Sequence, residues 1–138
     1  MEINRGEKVP FLVDTYALME WFVWDNQNYK KYFEQIQQKK NSYVSEITLV
    51  ELFHHIFHNE GEDEAEIIYS SVINYLNVAK MDEEIIKNSG IFRSNMLKKK
   101  KALSYADCIN YSFANKMNLK LLTGDEDFRG MKNVEFVK

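Results

Sequence analysis

The sequence has a single cysteine, Cys108, and a single proline, Pro10. A lone cysteine excludes an intrachain disulfide, and a reducing cytoplasm is the expected setting. Only 5 glycines occur in 138 residues, which favours helices joined by short connections. No apolar run approaches the roughly 20 residues of a membrane span, so no membrane association is expected. The opening "MEINRGEKVP" has no hydrophobic signal region, and no secretion is expected. Positive charge is not in excess. The net charge of -3 excludes wholesale nonspecific nucleic-acid binding but leaves room for a local basic patch. A Gly-x-x-x-x-Gly-Lys loop is also missing, which rules out a P-loop NTPase.

What is present fits one globular domain. Apolar residues make up 45% and charged residues 28%, enough for a sizeable core and too apolar for disorder. Residues 1–9 read as a polar leader. "FLVD" (11–14) is a short apolar run ending in an acid, expected as a buried strand. "TYALMEWFVW" and "NYKKYFEQIQQKK" carry helical spacing, and "SYVS" (42–45) reads as a second strand. "EITLVELFHHIFH" places Val50, Phe53 and Phe57 on one helical face, and Gly61 ends it. "DEAEIIYSSVINYL" is a further helix and "NVAKM" a third strand. "DEEIIKNSGIFRSNMLKKKK" is expected to be helical with an interruption near Gly90. "SYADCINYSFANKM" opens on Ser104, a good N-cap, with Asp107 three residues on. Ala106, Ile109, Phe113 and Met117 then share a face. "LKLLT" and "VEFV" complete the strands. Strands alternating with helices of about ten residues or more predict an α/β domain with a mainly parallel sheet.

The acids fall where such a sheet binds ligands, beyond the carboxyl ends of its strands. "LLTGDEDFRG" stacks Asp125, Glu126 and Asp127 directly after an apolar run. Asp14 ends the first strand, so it and Asp125 project from the same edge if the two strands are parallel. Asp107 lies in the first turn of a helix, a stabilising place for any carboxylate. Glu51 lies inside an apolar helix beside Ile47, His54, His55 and His58 on the wheel, at the boundary of the buried face or in solvent. Singly, each acid has an ordinary structural explanation. Together they suggest a mixed carboxylate cage, and an oxygen-only cage suits Mg2+ or Mn2+.

At these places the sequence resembles the PIN-domain ribonucleases, and among them the VapC-type toxins. The matching stretches are "FLVDTYALM", "SEITLVELF" and "LSYADCINYSFANKMNLKLLTGDEDF". The last is the most specific, since helix, strand and Thr123-x-Asp125-x-x-Phe128 follow in series. The resemblance implies a three-layer α/β/α domain over residues 1–138 with four to five strands. It implies that Asp14, Glu51, Asp107 and Asp125 form an acidic Mg2+ or Mn2+ site. Asp127 would assist or bind through water, and Thr15 and Thr123 would support the acids. The implied activity is hydrolysis of RNA phosphodiester bonds, leaving a 5′-phosphate and a 3′-hydroxyl. The implied setting is a toxin paired with a small antitoxin protein. A homodimer is plausible from the aromatic-rich N-terminal helices. The alternatives are a housekeeping RNA-processing nuclease and a non-catalytic PIN-like module that binds RNA or protein. All the acids are present, which favours the enzyme.

An acidic protein must still hold RNA. Lys98, Lys99, Lys100 and Lys101 precede the Asp107 helix, and Arg129 and Lys132 follow the Asp125 turn. Each is a candidate phosphate contact, although four lysines also make an ordinary solvated helix end. Glu126 reads as solvent-facing. His54 and His58 have the spacing of a zinc pair, but the His-Glu-x-x-His order is absent, so a polar helix face is preferred. Cys108 reads as a small core residue. Tyr16, Trp21, Phe22 and Trp24 read as core or dimer contacts. A haloacid-dehalogenase phosphatase would need a second Asp where Tyr16 stands, and the acid–lysine pairing of a receiver domain is not found.

Overall fold

A computed structural model describes residues 9–138 of the chain. The leader expected at residues 1–9 lies outside the described residues apart from Val9. Among the described residues, five strands and six α-helices follow one another, pairs of helices separating the first four strands: β1 (Phe11–Val13), α1 (Thr15–Phe22), α2 (Lys30–Lys39), β2 (Tyr43–Ser45), α3 (Glu46–Glu60), α4 (Glu62–Tyr75), β3 (Asn77–Ala79), α5 (Glu83–Lys98), α6 (Tyr105–Lys116), β4 (Lys120–Thr123) and β5 (Val134–Phe136). Short 3-10 turns precede α2 and β5. No helix among the described residues is long and apolar enough to cross a membrane.

The strands form one sheet in the order β3-β2-β1-β4-β5, and every pairing is parallel. Side chains alternate across a strand, and here both faces are apolar. Phe11 and Val13 enter a core with Leu18, Phe33, Leu52, Ile56 and Val72, contributed by α1 to α4. Leu12 and Leu121 enter a second core with Ile85, Phe113 and Ala114 from α5 and α6. Helices thus cover both faces, giving three α/β/α layers. This is why the strands read as unbroken apolar runs rather than alternating ones. The chain steps outward from β1 through β2 to β3, then returns to the other side of β1 with β4. The strand order therefore reverses between β1 and β4, and a crevice opens at the carboxyl ends of such a pair.

One local expectation is corrected, and the buried faces of two helices are resolved. The helix expected to break near Gly90 runs unbroken through it as α5. Gly90 is exposed, and its propensity deficit of about 1 kcal/mol is local, whereas Ile85 and Phe92 pack the same helix onto the second core. In α3 the core stripe is Thr48, Leu49, Leu52 and Ile56, so the Val50–Phe53–Phe57 face points largely outward, with Val50 64% and Phe57 50% exposed. In α6 the buried residues are Cys108 and the run from Asn110 to Ala114, rather than a single stripe. The cause is crowding: α6 packs against α5, the sheet and α3 together.

Candidate metal centre

The β1–β4 crevice is built by helix-capping chemistry. Val13 ends β1, and Asp14 is the N-cap of α1, its carboxylate accepting the Ala17 N–H at 3.0 Å. An extended cap residue leaves the strand with its side chain at the helix start, where the dipole favours a negative charge. Asp14 is buried. On the neighbouring strand end, the Thr123 hydroxyl accepts the Asp125 N–H at 3.1 Å and also hydrogen-bonds Asp14. Asp125 caps the 3-10 turn Glu126–Phe128 by accepting the Asp127 N–H at 2.9 Å. Asp107 completes a capping box at the start of α6. Its N–H donates to the Ser104 hydroxyl at 3.0 Å, and its carboxylate accepts the Ser104 N–H at 3.4 Å.

These local bonds bring three acids into one group. A carboxylate oxygen from each of Asp107, Asp125 and Asp127 lies within 4.8 Å of the others. Asp14 is outside that group but inside its field. Burial pushes Asp14 up to about 7, the Thr123 and Ala17 bonds oppose the rise, and the charges of Asp107 and Asp125 add to it. Burial also raises Asp107, the Ser104 hydroxyl pulls it back, and Asp125 and then Asp127 raise it further. Glu51 is not in the convergent group either. Its carboxylate accepts the Thr15 hydroxyl at 2.7 Å, which ties it to the residue following Asp14. An all-carboxylate donor set around a buried acid of raised pKa has the charge and chemistry that a hard divalent cation neutralises.

A second, uncharged layer escaped the sequence reading. Ser45, at the carboxyl end of β2, donates to Asn110 Oδ1 at 2.6 Å, and Asn110 Nδ2 donates to Thr48 Oγ1 at 3.0 Å. All three residues are buried. This network joins α3, one turn before Glu51, to α6, one turn after Asp107. The available signal was small polar residues set among apolar ones, with Thr48 and Asn110 each about one turn from a candidate acid. Asn110→Ala leaves the Ser45 and Thr48 hydroxyls without that partner and is expected to destabilise the chain by about 2 kcal/mol, measured by urea unfolding.

Lys98 ends α5, Lys99 caps it, and Lys100 takes a left-handed φ of 62°. None of residues 98–101 is ion-paired among the described residues. Arg129 donates through both Nε and Nη2 to Glu126 at 2.9 Å, so its charge is largely neutralised locally. Glu126 is exposed, as expected, and the bond to Arg129 holds its carboxyl at about 2. Lys132 is exposed. His54, His55 and His58 are all exposed, and the His54 and His58 rings stack at 5.8 Å. Cys108 is buried. Trp21 stacks on Phe33 at 5.5 Å, Phe22 meets the same ring edge-on, and Tyr16 packs on the first core. Trp24, by contrast, is exposed.

Several solved structures share this fold. A chain of the DNA-bound VapBC complex from Salmonella typhimurium superposes with a TM-score of 0.78 at 17% identity, covering 94% of this chain and 98% of that one. A chain of a toxin–antitoxin complex from Klebsiella pneumoniae gives 0.69 at 22% identity, covering 90% and 94%. A sarcin–ricin-loop-cleaving VapC toxin of Mycobacterium tuberculosis gives 0.71 at 14% identity, covering 92% and 96%. No curated relative matches the chain. The model of the PIN domain matches residues 11–134, from the first residue of β1 to the first of β5. With its acids at the β1–β4 crevice and nearly its whole length matched, this chain belongs to the PIN-domain family.

Proposed function

We propose that the chain is a divalent-metal-dependent endoribonuclease and the toxin of a toxin–antitoxin pair. The observation that carries this reading is the convergence of the Asp107, Asp125 and Asp127 oxygens at a crevice where buried Asp14 already feels Asp107 and Asp125. Carboxylates so close repel one another unless a cation stands among them. Asp14, Asp107, Asp125 and Asp127 would hold Mg2+ or Mn2+, with Glu51 as the next acid out. When bound, such an ion supplies Lewis-acid chemistry, lowering the pKa of water and offsetting charge on phosphate oxygens. The protein's own residues supply rigidity. Thr123 hydrogen-bonds Asp14 and holds the Asp125 amide, Ser104 fixes Asp107, and Thr15 fixes Glu51. Acids fixed in this way need little rearrangement when a phosphodiester arrives.

The antitoxin half of the reading is supported by the kinship with toxin–antitoxin complexes and by exposed apolar surface. Leu49, Val50, Phe53, Tyr69 and Val78 line a groove of about 700 Å³, and contiguous exposed apolar surface marks sites of protein interaction. A second copy of the chain is the other protein partner proposed. Incubation with single-stranded RNA and Mn2+ is expected to give fragments bearing 5′-phosphates, and EDTA is expected to stop the reaction. RNA left intact across Mg2+ and Mn2+ titrations overturns the enzyme and favours the binding module. Growth arrest on expression, relieved by Asp14→Asn, separates a toxin from a housekeeping nuclease.

A further inference from the structure

The site so far has acids for a cation but nothing to hold a base. Tyr16, Trp21, Phe22 and Trp24 are expected from sequence to serve packing, and Tyr105 is a further aromatic outside that set. This residue opens α6, directly after the Ser104 cap and two positions before Asp107. The residue is 70% exposed, the most exposed large hydrophobic among the described residues. An aromatic ring left in water at the first turn of a buried helix has given up most of its burial energy.

One side of the ring is nevertheless organised. The Arg93 guanidinium lies 4.2 Å from the ring centroid. It is held there by its Nε, which donates to the Leu103 carbonyl at 3.1 Å. Among the described residues no carboxylate pairs with Arg93, and its Nη groups have no hydrogen-bond partner. The arginine therefore backs the ring and keeps donors free. Lys98 ends α5 and Lys99, Lys100 and Lys101 follow it in the connection to α6, and among the described residues none of the four is ion-paired. In chain order this corner presents unpaired cations, an arginine-backed ring and then Asp107. Proteins that hold single-stranded nucleic acid combine these parts: cations follow the phosphates while bases stack on aromatic rings.

We propose that Tyr105, backed by Arg93, is a stacking platform for an unpaired RNA base beside the acidic crevice. The proposal rests on the ribonuclease reading, because it takes the ligand at this corner to be the substrate strand. Tyr105 binds and positions the base and takes no part in bond cleavage. Stacking on a ring tolerates any base, so sequence preference arises elsewhere.

The test is fluorescence anisotropy of a labelled single-stranded oligoribonucleotide in Mg2+ buffer, with Asp14→Asn as the parent so that the RNA stays intact. Adding Tyr105→Ala is expected to raise Kd about tenfold, within the range for loss of one base–aromatic stack. Tyr105→Phe, which keeps the ring, is expected to stay within twofold. An oligonucleotide of abasic ribose units is expected to bind the parent and Tyr105→Ala equally. A purely structural clamp between α5 and α6 would not distinguish bases from their absence. Unchanged Kd in Tyr105→Ala overturns the proposal, as does equal loss in Tyr105→Phe, or a parent that binds no RNA. If wild type fails to cleave RNA while binding still depends on the Tyr105 ring, the enzyme reading falls and the platform stands.

Discussion

Asp14→Asn is expected to lower RNA cleavage a thousandfold or more while making the metal-free chain more stable at pH 8. The two effects share one cause. Asp14 is buried beside other acids and held up at about 7 rather than its ordinary 3.8. A folded-state pKa above the unfolded one means that the group's contribution to stability is fully present below about pH 4. It is lost as pH rises through 7. At 1.36 kcal/mol for each pH unit, ionising Asp14 costs the cation-free fold about 4 kcal/mol. Asparagine carries no charge to bury, and it caps a helix as well as aspartate does, so the bond to the Ala17 N–H survives. The same neutral amide is a poor ligand for a hard cation, and a loss of several kcal/mol in transition-state stabilisation is at least a thousandfold in rate. Thermal melts in EDTA at pH 5 and pH 8 measure the first effect: wild type loses stability between them and the variant much less. Added Mn2+ should restore wild type at pH 8 and leave the variant almost unmoved. A variant that melts below wild type at pH 8 in EDTA removes the electrostatic account. One that cleaves at the wild-type rate removes Asp14 from the site.

Gly124→Ala is expected to be the most damaging alanine substitution at any of the described glycines. Gly124 separates Thr123 from Asp125, and a Cβ there would stand 2.2 Å from the Val137 carbonyl oxygen, 2.4 Å from Tyr16 Cε1 and 2.9 Å from Tyr29 Oη. Neither side can yield freely. The Val137 N–H donates to the Thr123 carbonyl at 2.8 Å, the Tyr29 hydroxyl donates to the Val137 carbonyl, and Tyr29 is fully buried. Overpacking of this kind costs about 1–3 kcal/mol, and rigid surroundings put this case at the upper end. The displacement falls on the strand end that aims Thr123 and Asp125, so activity should drop further than stability does. Misplacing a reacting constellation by about 1 Å costs on the order of a hundredfold. Urea unfolding measures the first loss. Cleavage at a temperature where circular dichroism shows the variant folded measures the second. Wild-type activity in Gly124→Ala would show that the acid turn tolerates movement and is not held to one geometry.

The parts of this protein that were legible from sequence are those where local chemistry and global position coincide. Asp14 and Asp125 each end a plain apolar strand run, so a parallel sheet predicts that they project from one edge, whereas Asp107 and Glu51 join them only through the family resemblance. Ser104 with Asp107 is readable as a helix start. What was not legible depends on neighbours far along the chain. Helix α3 carries two apolar stripes, Val50–Phe53–Phe57 and Leu49–Leu52–Ile56, and no wheel says which one faces the core. Ala65, Ile68 and Val72 of α4 decide it. Gly90 looks like a break until Ile85 and Phe92 are seen packed on either side of it. Asn110 looks like an ordinary helix residue until β2 and α3 supply its partners. Asp127 joins the convergent acids ahead of Glu51 because the 3-10 turn Glu126–Phe128 carries it next to Asp125, whereas Glu51 is anchored to Thr15.

The central strand β1 has β4 as one neighbour, yet residues 14 to 119 of the chain lie between the two. During synthesis Asp14 leaves the ribosome early, Glu51 and Asp107 follow on α3 and α6, and Asp125 and Asp127 come last, after β4. A growing polypeptide with this connectivity lacks the convergent group until β4 and the turn after it have been made. Contacts between such distant segments also form slowly. The convergent acids are therefore gathered only once β4 has joined β1, with β5 still to be added at the sheet edge.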